Sequence, residues 1–207
     1  MEKFGKSQPV KRVEDVRFLT GHGRYIEDSA PQGALRCWVL RSPVAHGTIT
    51  RLDVEDARAA AGVQMVVTYA DYLEAGYDTG IDGILIKNRD GSGAAAPHRP
   101  MLAHDRVRHV GEPVAVVVAE TMDQARDAGE LIELEIDDLP VKMDIAPGGE
   151  PLHPDVPDNL GFDWGMGDEA ATEAAFAEAA HTVALQVEDN RVIVNSMEPR
   201  GGFAEWK

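Results

Sequence analysis

A strand–helix–strand unit between residues 114 and 137 constrains the fold more than any other part of the sequence. Residues 114–119 read VAVVVA, an apolar run typical of a strand that is covered on both faces. Thr121, with Gln124 three residues later, predicts a capping box at the start of a helix. Residues 131–137 then alternate apolar and acidic side chains with the period of a half-buried strand. We therefore predict an α/β fold (α+β, with a mixed sheet) in which helices cross the sheet.

Further elements are predicted on both sides of this unit. Apolar alternation and β-branched runs predict strands at 34–42, 48–54, 63–69, 106–109 and 182–188, with strand-like residues up to 207. Helix signals predict a short helix over 55–61 closed by Gly62, and a second helix that begins after Asp168 and ends near Ala180. Glycine and proline residues predict a loop over 76–100 and a linker over 140–167.

The charge of the chain is strongly acidic and unevenly placed. The 207 residues carry a formal net charge of −16, which argues against a nucleic-acid partner because a phosphate backbone needs a basic surface. Residues 120–189 hold 19 carboxylates and two basic residues, so the whole excess lies in that stretch. Residues 150–189 hold ten carboxylates and neither lysine nor arginine. Such an asymmetry is typical of a tail or of a surface that binds a partner.

Several classes of protein are excluded by what the sequence does not contain. The single cysteine, Cys37, rules out an internal disulfide, an iron–sulfur cluster and a thiolate zinc site, and its place within a strand favours a structural thiol. No apolar run reaches the roughly 20 residues of a membrane span. The first 15 residues lack the apolar core of a signal peptide, so we expect a cytoplasmic protein without a membrane partner.

Two motifs suggest sites, and each has a more ordinary interpretation. Residues 20–25, TGHGRY, contain two glycines of a dinucleotide-binding loop, but no predicted strand precedes them and the third glycine is absent, which favours a turn. His98, His104 and His109 cluster at spacings of six and five residues, wider than a metal site prefers. An independent hydrolase that uses these histidines stays open as the weakest interpretation.

Several longer motifs together resemble the N-terminal part of the molybdenum hydroxylases, the family of xanthine dehydrogenase, aldehyde oxidase and the carbon monoxide dehydrogenase large subunit. The motifs that carry the resemblance are RVED at 12–15, LTGHGRYIED at 19–28, LRSPVAH at 40–46, LAHDRVRHVGEPVAVVVAET at 102–121, QARDA at 124–128, DLP at 138–140, NR at 190–191 and MEPRG at 197–201. Their order and spacing extend over nearly the whole chain.

This resemblance implies a division of the chain into four parts. Residues 1–17 would be an N-terminal arm, residues 18–140 an α/β hammerhead domain, and residues 141–180 a linker with a connecting helix. Residues 181–207 would be the first strands of an incomplete molybdopterin-binding domain. The implied partners are the remainder of the molybdopterin-binding subunit and the iron–sulfur and flavin subunits or domains, in a hetero-oligomer.

The resemblance also implies an oxidoreductase that hydroxylates an aldehyde, an N-heterocycle or a similar carbon centre with a molybdenum cofactor. Iron–sulfur clusters and FAD would lie on other domains or subunits. The catalytic glutamate and the pterin-binding loops of the family correspond to positions beyond residue 207, and Glu198 matches a different family position. We therefore assign no catalytic, cofactor-binding or metal-ligating residue to this chain, and we expect it to be inactive alone. The alternative is a non-catalytic binding or assembly module that uses the hammerhead fold.

Overall fold

The computed structural model describes residues 11–77, 80–81, 83, 86–190, 192–196, 198 and 200–206. Residues 1–10 of the predicted arm lie outside the described residues, as do Arg191, Met197 and Pro199 of the resemblance motifs. The chain divides into two compact units, one of residues 35–183 and one that combines residues 11–34 with those described from 184 onward. Within the described ranges, no helix is long and apolar enough to cross a membrane.

The helices and strands have the following bounds. The smaller unit contains α1 (Asp15–Leu19) and a 3-10 turn (Glu27–Ser29). The helices of the larger unit are α2 (Glu55–Ala59), α3 (Tyr69–Glu74), α4 (Met122–Glu130) and α5 (Glu169–Glu178). Its strands are β1 (Arg36–Arg41), β2 (Gly47–Asp53), β3 (Val63–Val67), β4 (Gly80–Ile81), β5 (Arg99–Pro100), β6 (Arg106–Val107), β7 (Pro113–Ala119) and β8 (Glu133–Asp138).

The larger unit is built on two three-stranded sheets and one short strand pair. The first sheet has the order β1-β7-β3, the second has the order β6-β2-β8, and β4 pairs with β5. All of these pairings are antiparallel. The α/β class predicted from the sequence is confirmed, and the strands that accompany the helices form antiparallel sheets. Strands β7 and β8 lie in different sheets, because α4 carries the chain from one sheet to the other.

Strand β7 and helix α4 form the main core. Ala115, Val117 and Ala119 on one face of β7 are fully buried together with Ala125 and Ala128 of α4. On the opposite face, Val114 is buried while Val116 and Val118 are half-buried, so the expectation of complete cover on both faces is met in part. The small alanines let the helix approach the sheet closely, which fixes the position of α4.

The second sheet has a smaller core that includes one end of β7. Ala103, Val107 and Val114 are buried there, and Leu134 and Ile136 of β8 pack against them. The carboxylates that alternate with these two residues along β8 are exposed. The period-two interpretation of this strand is therefore confirmed.

Helix α3 was not predicted, because its signal is confined to a single turn. The strand predicted to reach Tyr69 ends at Val67, and Thr68 begins the helix. The Asp71 carboxylate accepts hydrogen bonds at 2.6 Å from the backbone N–H and from the hydroxyl of Thr68. A β-branched strand that runs directly into a six-residue helix gives little periodicity to separate the two.

The strands predicted from residue 182 onward are absent from the described residues, which form no helix or strand after α5. Val183, Leu185 and Val187 alternate as a strand would, yet all three are largely exposed. A strand exists only where a neighbour completes its hydrogen-bond ladder, and none is present here. The assignment of 181–207 to a second domain stays a prediction. So does the boundary at residue 18, although the structure groups residues 18–34 with the smaller unit.

Candidate functional site

A cleft of about 610 Å³ lies where β2, α2 and α3 meet the segment that carries His104. The His104 ring stacks on Tyr69, with ring centroids 4.3 Å apart and planes 14° from parallel. Arg58 joins two of the elements, because its guanidinium contacts Glu55 at 2.9 Å and Asp71 at 2.7 Å. The cleft therefore has an aromatic side and a rim of paired charges.

Two carboxylates of this cleft, those of Asp71 and Asp53, are stabilised in their ionised form. Burial acts to raise the pKa of Asp71, but hydrogen bonds from Thr68 and the charge of Arg58 outweigh it, so the pKa is lowered. The backbone N–H of Glu55 and the side chain of Arg51 lower the pKa of Asp53. A general acid needs a raised pKa, and neither group meets that requirement. The cleft joins α2 and α3 to the second sheet.

The GEP turn at 111–113 holds a buried carboxylate with a structural role. Glu112 is 9% exposed and accepts a hydrogen bond from the backbone N–H of Arg108. Its own backbone oxygen accepts from the N–H of Ser42 at 2.8 Å, and the Ser42 oxygen accepts from Gly111 at 2.8 Å. In the sequence, Glu112 is marked only as part of the resemblance motif. Its position between a glycine and a proline, which favours a tight turn, is the feature that could have indicated its structural role. It fixes the turn that leads into β7.

His46 is the second buried polar side chain that sequence analysis left without a role. Its Nδ1 lies 2.8 Å from the backbone oxygen of Pro140, and its own backbone oxygen accepts from the N–H of Leu139 at 2.9 Å. The side chain is 2% exposed, and its Nε2 atom has no hydrogen-bond partner among the described residues. His46 thus fixes the point at which the chain leaves β8.

The three clustered histidines are kept apart by separate contacts. His104 stacks on Tyr69, His109 lies 3.7 Å from Glu112, and the His98 ring lies against Gly80, where a Cβ would overlap it. No group of three histidine, cysteine or carboxylate side chains in the described part of the chain could hold a metal ion. The structure gives no support to a hydrolase based on these residues.

The other sequence motifs have plain structural explanations. The TGHGRY glycines follow α1 rather than a strand, and Gly21 has φ +75°, with its N–H bonded to the Phe18 oxygen at 3.3 Å. This geometry is a helix-terminating turn, as the sequence favoured. Cys37 lies within β1 as predicted, but its side chain is exposed, so it is not a packed structural thiol.

The predicted linker is an ordered loop followed by an acidic helix. Asn159 holds the loop together, because its side chain bonds the N–H of Leu152 and the oxygens of Gly148 and Glu150 at 2.9–3.1 Å. As predicted, Asp168 caps α5, with its carboxylate accepting from the N–H of Ala171 at 2.9 Å. All ten residues of α5 are exposed. The acidic stretch therefore presents an open helix.

Arg89 connects this helix to the rest of the larger unit. Its guanidinium lies 3.3 Å from Asp163 and 3.6 Å from Glu169 at the start of α5. A Cβ on Gly165 would lie 2.7 Å from the Arg89 Nε, so the glycine leaves room for the arginine. The backbone N–H of Arg89 also donates to the backbone oxygen of Asp163 at 2.8 Å. Arg89 therefore contributes to holding the start of α5, together with Asn88, whose side-chain oxygen accepts from the Asp163 N–H at 2.9 Å.

The cleft beside α2 does not fit a molybdopterin cofactor. The cofactor carries an anionic phosphate, whereas the cleft beside α2 is lined by four carboxylates, those of Asp53, Glu55, Asp71 and Glu74. Its two arginines, Arg51 and Arg58, are already paired with carboxylates. We therefore derive no catalytic step through the cofactor from these residues.

The sequence is similar to a known domain family and to the large subunits of two bacterial enzymes. Residues 20–140 match the family model described as "Aldehyde oxidase and xanthine dehydrogenase, a/b hammerhead domain". The large subunit of nicotine 6-hydroxylase from Paenarthrobacter nicotinovorans is 38% identical over 201 residues, which is 96% of this chain and 24% of the relative. The carbon monoxide dehydrogenase large chain from Hydrogenophaga pseudoflava is 31% identical over 209 residues, 93% of this chain and 25% of the relative.

A solved structure agrees with the relatives. Quinoline 2-oxidoreductase from Pseudomonas putida 86 superposes with a TM-score of 0.56 at 42% identity, over 68% of this chain and 16% of that chain. Two antiparallel sheets bridged by α4 thus define an α/β hammerhead domain. The chain belongs to the aldehyde oxidase and xanthine dehydrogenase family of molybdenum hydroxylases. It spans about a quarter of the length of the curated relatives it matches.

Proposed function

We propose that this chain is the N-terminal hammerhead part of the molybdopterin-binding large subunit of a molybdenum hydroxylase. The observation that carries the proposal is the family match over residues 20–140, together with relatives that are large subunits about four times as long. In this role the chain is a scaffold that has no activity alone. The catalytic and cofactor-binding residues belong to the remainder of the large subunit.

The proposed reaction is hydroxylation of an aldehyde, an N-heterocycle or a similar carbon centre. Two of the similar proteins are named for nicotine and quinoline, both N-heterocycles, which favours that class of substrate. In the proposed enzyme, the molybdenum cofactor supplies the oxidation, and iron–sulfur clusters and FAD on other subunits or domains carry the electrons away. The hammerhead residues contribute a rigid support and touch no substrate.

The proposed assembly is a cytoplasmic hetero-oligomer without nucleic-acid or membrane partners. Its contact surface on this chain includes the exposed acidic helix α5. Glu169 of this helix is paired with Arg89, whereas Glu173 and Glu178 lie in a stretch, residues 150–189, that contains no lysine or arginine. A basic surface on the remainder of the large subunit would complement this charge. Hetero-oligomer formation also fits the relatives, which are named as a large subunit and a large chain.

Metal analysis of the purified assembly tests the proposal. The tagged chain is expressed in its native host, captured, and assayed for co-purifying protein, for molybdenum and for pterin. We expect a partner that carries the missing cofactor domain and molybdenum in a fixed ratio to the complex. If a partner is present but molybdenum and pterin are absent, the chain is instead a non-catalytic assembly module. The observation that favours this second candidate is that no group of three or more histidine, cysteine or carboxylate side chains among the described residues could hold a metal ion.

A further inference from the structure

Residues 25–29 form a turn that is fixed by its own side chains. The Asp28 carboxylate accepts from the N–H of Tyr25 at 2.9 Å, and the Ser29 hydroxyl donates to the Tyr25 oxygen at 3.3 Å. The backbone bonds of the 3-10 turn Glu27–Ser29 complete it. The N–H of Ile26 has its acceptor outside the turn.

That acceptor is Glu198, 172 residues further along the chain. Its Oε1 atom accepts from the Ile26 N–H at 3.0 Å. A second contact lies beside the first, since a Cβ on Gly201 would be 2.8 Å from the Ile26 Cγ2. One polar and one close apolar contact therefore join the IED part of one resemblance motif to the MEPRG motif.

Both joined segments, residues 11–34 and residues 184–206, leave apolar side chains in water. The side chains concerned are 72–99% exposed, and they are Val13, Val16, Leu19, Leu185, Val187, Val192, Ile193, Val194 and Trp206. Monomeric proteins rarely expose so many large apolar groups together, and such surfaces mark interfaces. The two segments therefore form one side of an apolar contact that is completed by another part of the protein.

We propose that residues 11–34 belong structurally to the second domain and are held to its first segment by the Ile26–Glu198 hydrogen bond. The occupant that covers their apolar side chains is the remainder of the large subunit. This second part rests on the proposed function. Glu198 is then a positioning residue, which places the N-terminal segment and takes no part in the reaction. The hammerhead domain proper begins near Leu35, at the boundary of the larger unit.

Amide hydrogen exchange of the isotope-labelled chain tests the contact between the two segments. In Glu198→Ala, we expect the Ile26 amide to exchange about two- to tenfold faster, the range set by one net hydrogen bond. Glu198→Gln keeps a side-chain oxygen as acceptor and retains most of the protection. Glu188→Ala, an exposed glutamate of the same segment, leaves the Ile26 rate unchanged, and the Val117 amide of β7 keeps its rate in all three variants. Equal Ile26 rates in the unsubstituted chain and in Glu198→Ala would overturn the proposal.

Co-expression with the remainder of the large subunit tests the occupant. We expect amides in 11–34 and 184–206 to gain protection together in the complex. Gain of protection within 35–183 alone overturns the proposal, even if the complex contains molybdenum. If the two segments become protected in a complex without molybdenum, the inference stands and the proposed function fails.

Discussion

Gly129 of α4 lies so close to the indole ring of Trp38 in β1 that a Cβ at this position would overlap the ring. Both residues belong to the contact between the helix and the first sheet, where the glycine is buried. A glycine within a helix costs about 1 kcal/mol relative to alanine, so the close approach is the reason for its presence.

Gly129→Ala is therefore expected to destabilise the larger unit in spite of the better helix propensity of alanine. Overpacking costs roughly 1–3 kcal/mol and the propensity gain offsets about 1 kcal/mol, so we expect a net loss of up to roughly 2 kcal/mol. Denaturant unfolding followed by tryptophan fluorescence measures it. Asp127→Ala, on the exposed side of the same helix, is the matched control and should change stability by less than about 0.5 kcal/mol. A more stable Gly129→Ala variant would contradict the prediction.

Glu112→Ala is expected to weaken the turn before β7. The substitution removes the acceptor of the Arg108 N–H in a nearly buried position, which costs about 1–3 kcal/mol. The free energy of unfolding is the measurement, with Glu120→Ala, an exposed neighbour, as the control. Equal stability of the two variants would show that Glu112 does not hold the turn.

Acidification is expected to destabilise the larger unit, because protonation of His153 weakens the contact between the loop over 140–167 and residues 106–113. Burial lowers the pKa of His153 from 6.5, and the positive charge of Arg108 lowers it further. The unfolded chain therefore takes up a proton near pH 6.5 that the folded chain does not yet bind. Stability is complete above that pH, falls as the pH drops below it, and levels off once the folded-state pKa is passed.

The pH dependence is measured by comparing the native chain with His153→Gln, which cannot titrate. Protonation of carboxylates with lowered pKa, such as Asp144, also reduces the free energy of unfolding at lower pH. This effect is the same in both proteins and cancels in the difference between their free energies. We expect the native chain to lose more stability than the variant between neutral pH and the middle of the acidic range. Parallel pH curves would exclude His153 as the cause.

High salt is expected to loosen the proposed assembly, because screening weakens the attraction between the acidic helix α5 and a basic partner surface. Charge reversal by Glu173→Lys and Glu178→Lys should reduce co-purification of the partner at low salt. Both side chains are exposed on α5, whereas Asp127→Lys on α4 reverses a charge outside the acidic helix and is the control. Retention that is equal for all variants and independent of salt would contradict an electrostatic contact.

Elements with local signals can be predicted from the residues alone. The apolar run of β7, the Thr121 cap and the alternation of β8 are each decided within a few residues, and the structure confirms them. The same holds for the Asp168 cap of α5. Motif order determined the family, because a resemblance over most of the chain depends on residue types and spacing alone.

The arrangement of these elements depends on contacts between segments that are distant in the sequence. The sequence around α4 does not show that β7 and β8 lie in different sheets, since that depends on which strands find partners. The roles of His46 and Arg89 depend on atoms supplied by distant segments. The hydrogen bond of the Ile26 N–H cannot be predicted from local sequence either, because its acceptor lies 172 residues away. Local patterns specify an element, whereas burial and long-range hydrogen bonds specify its neighbours.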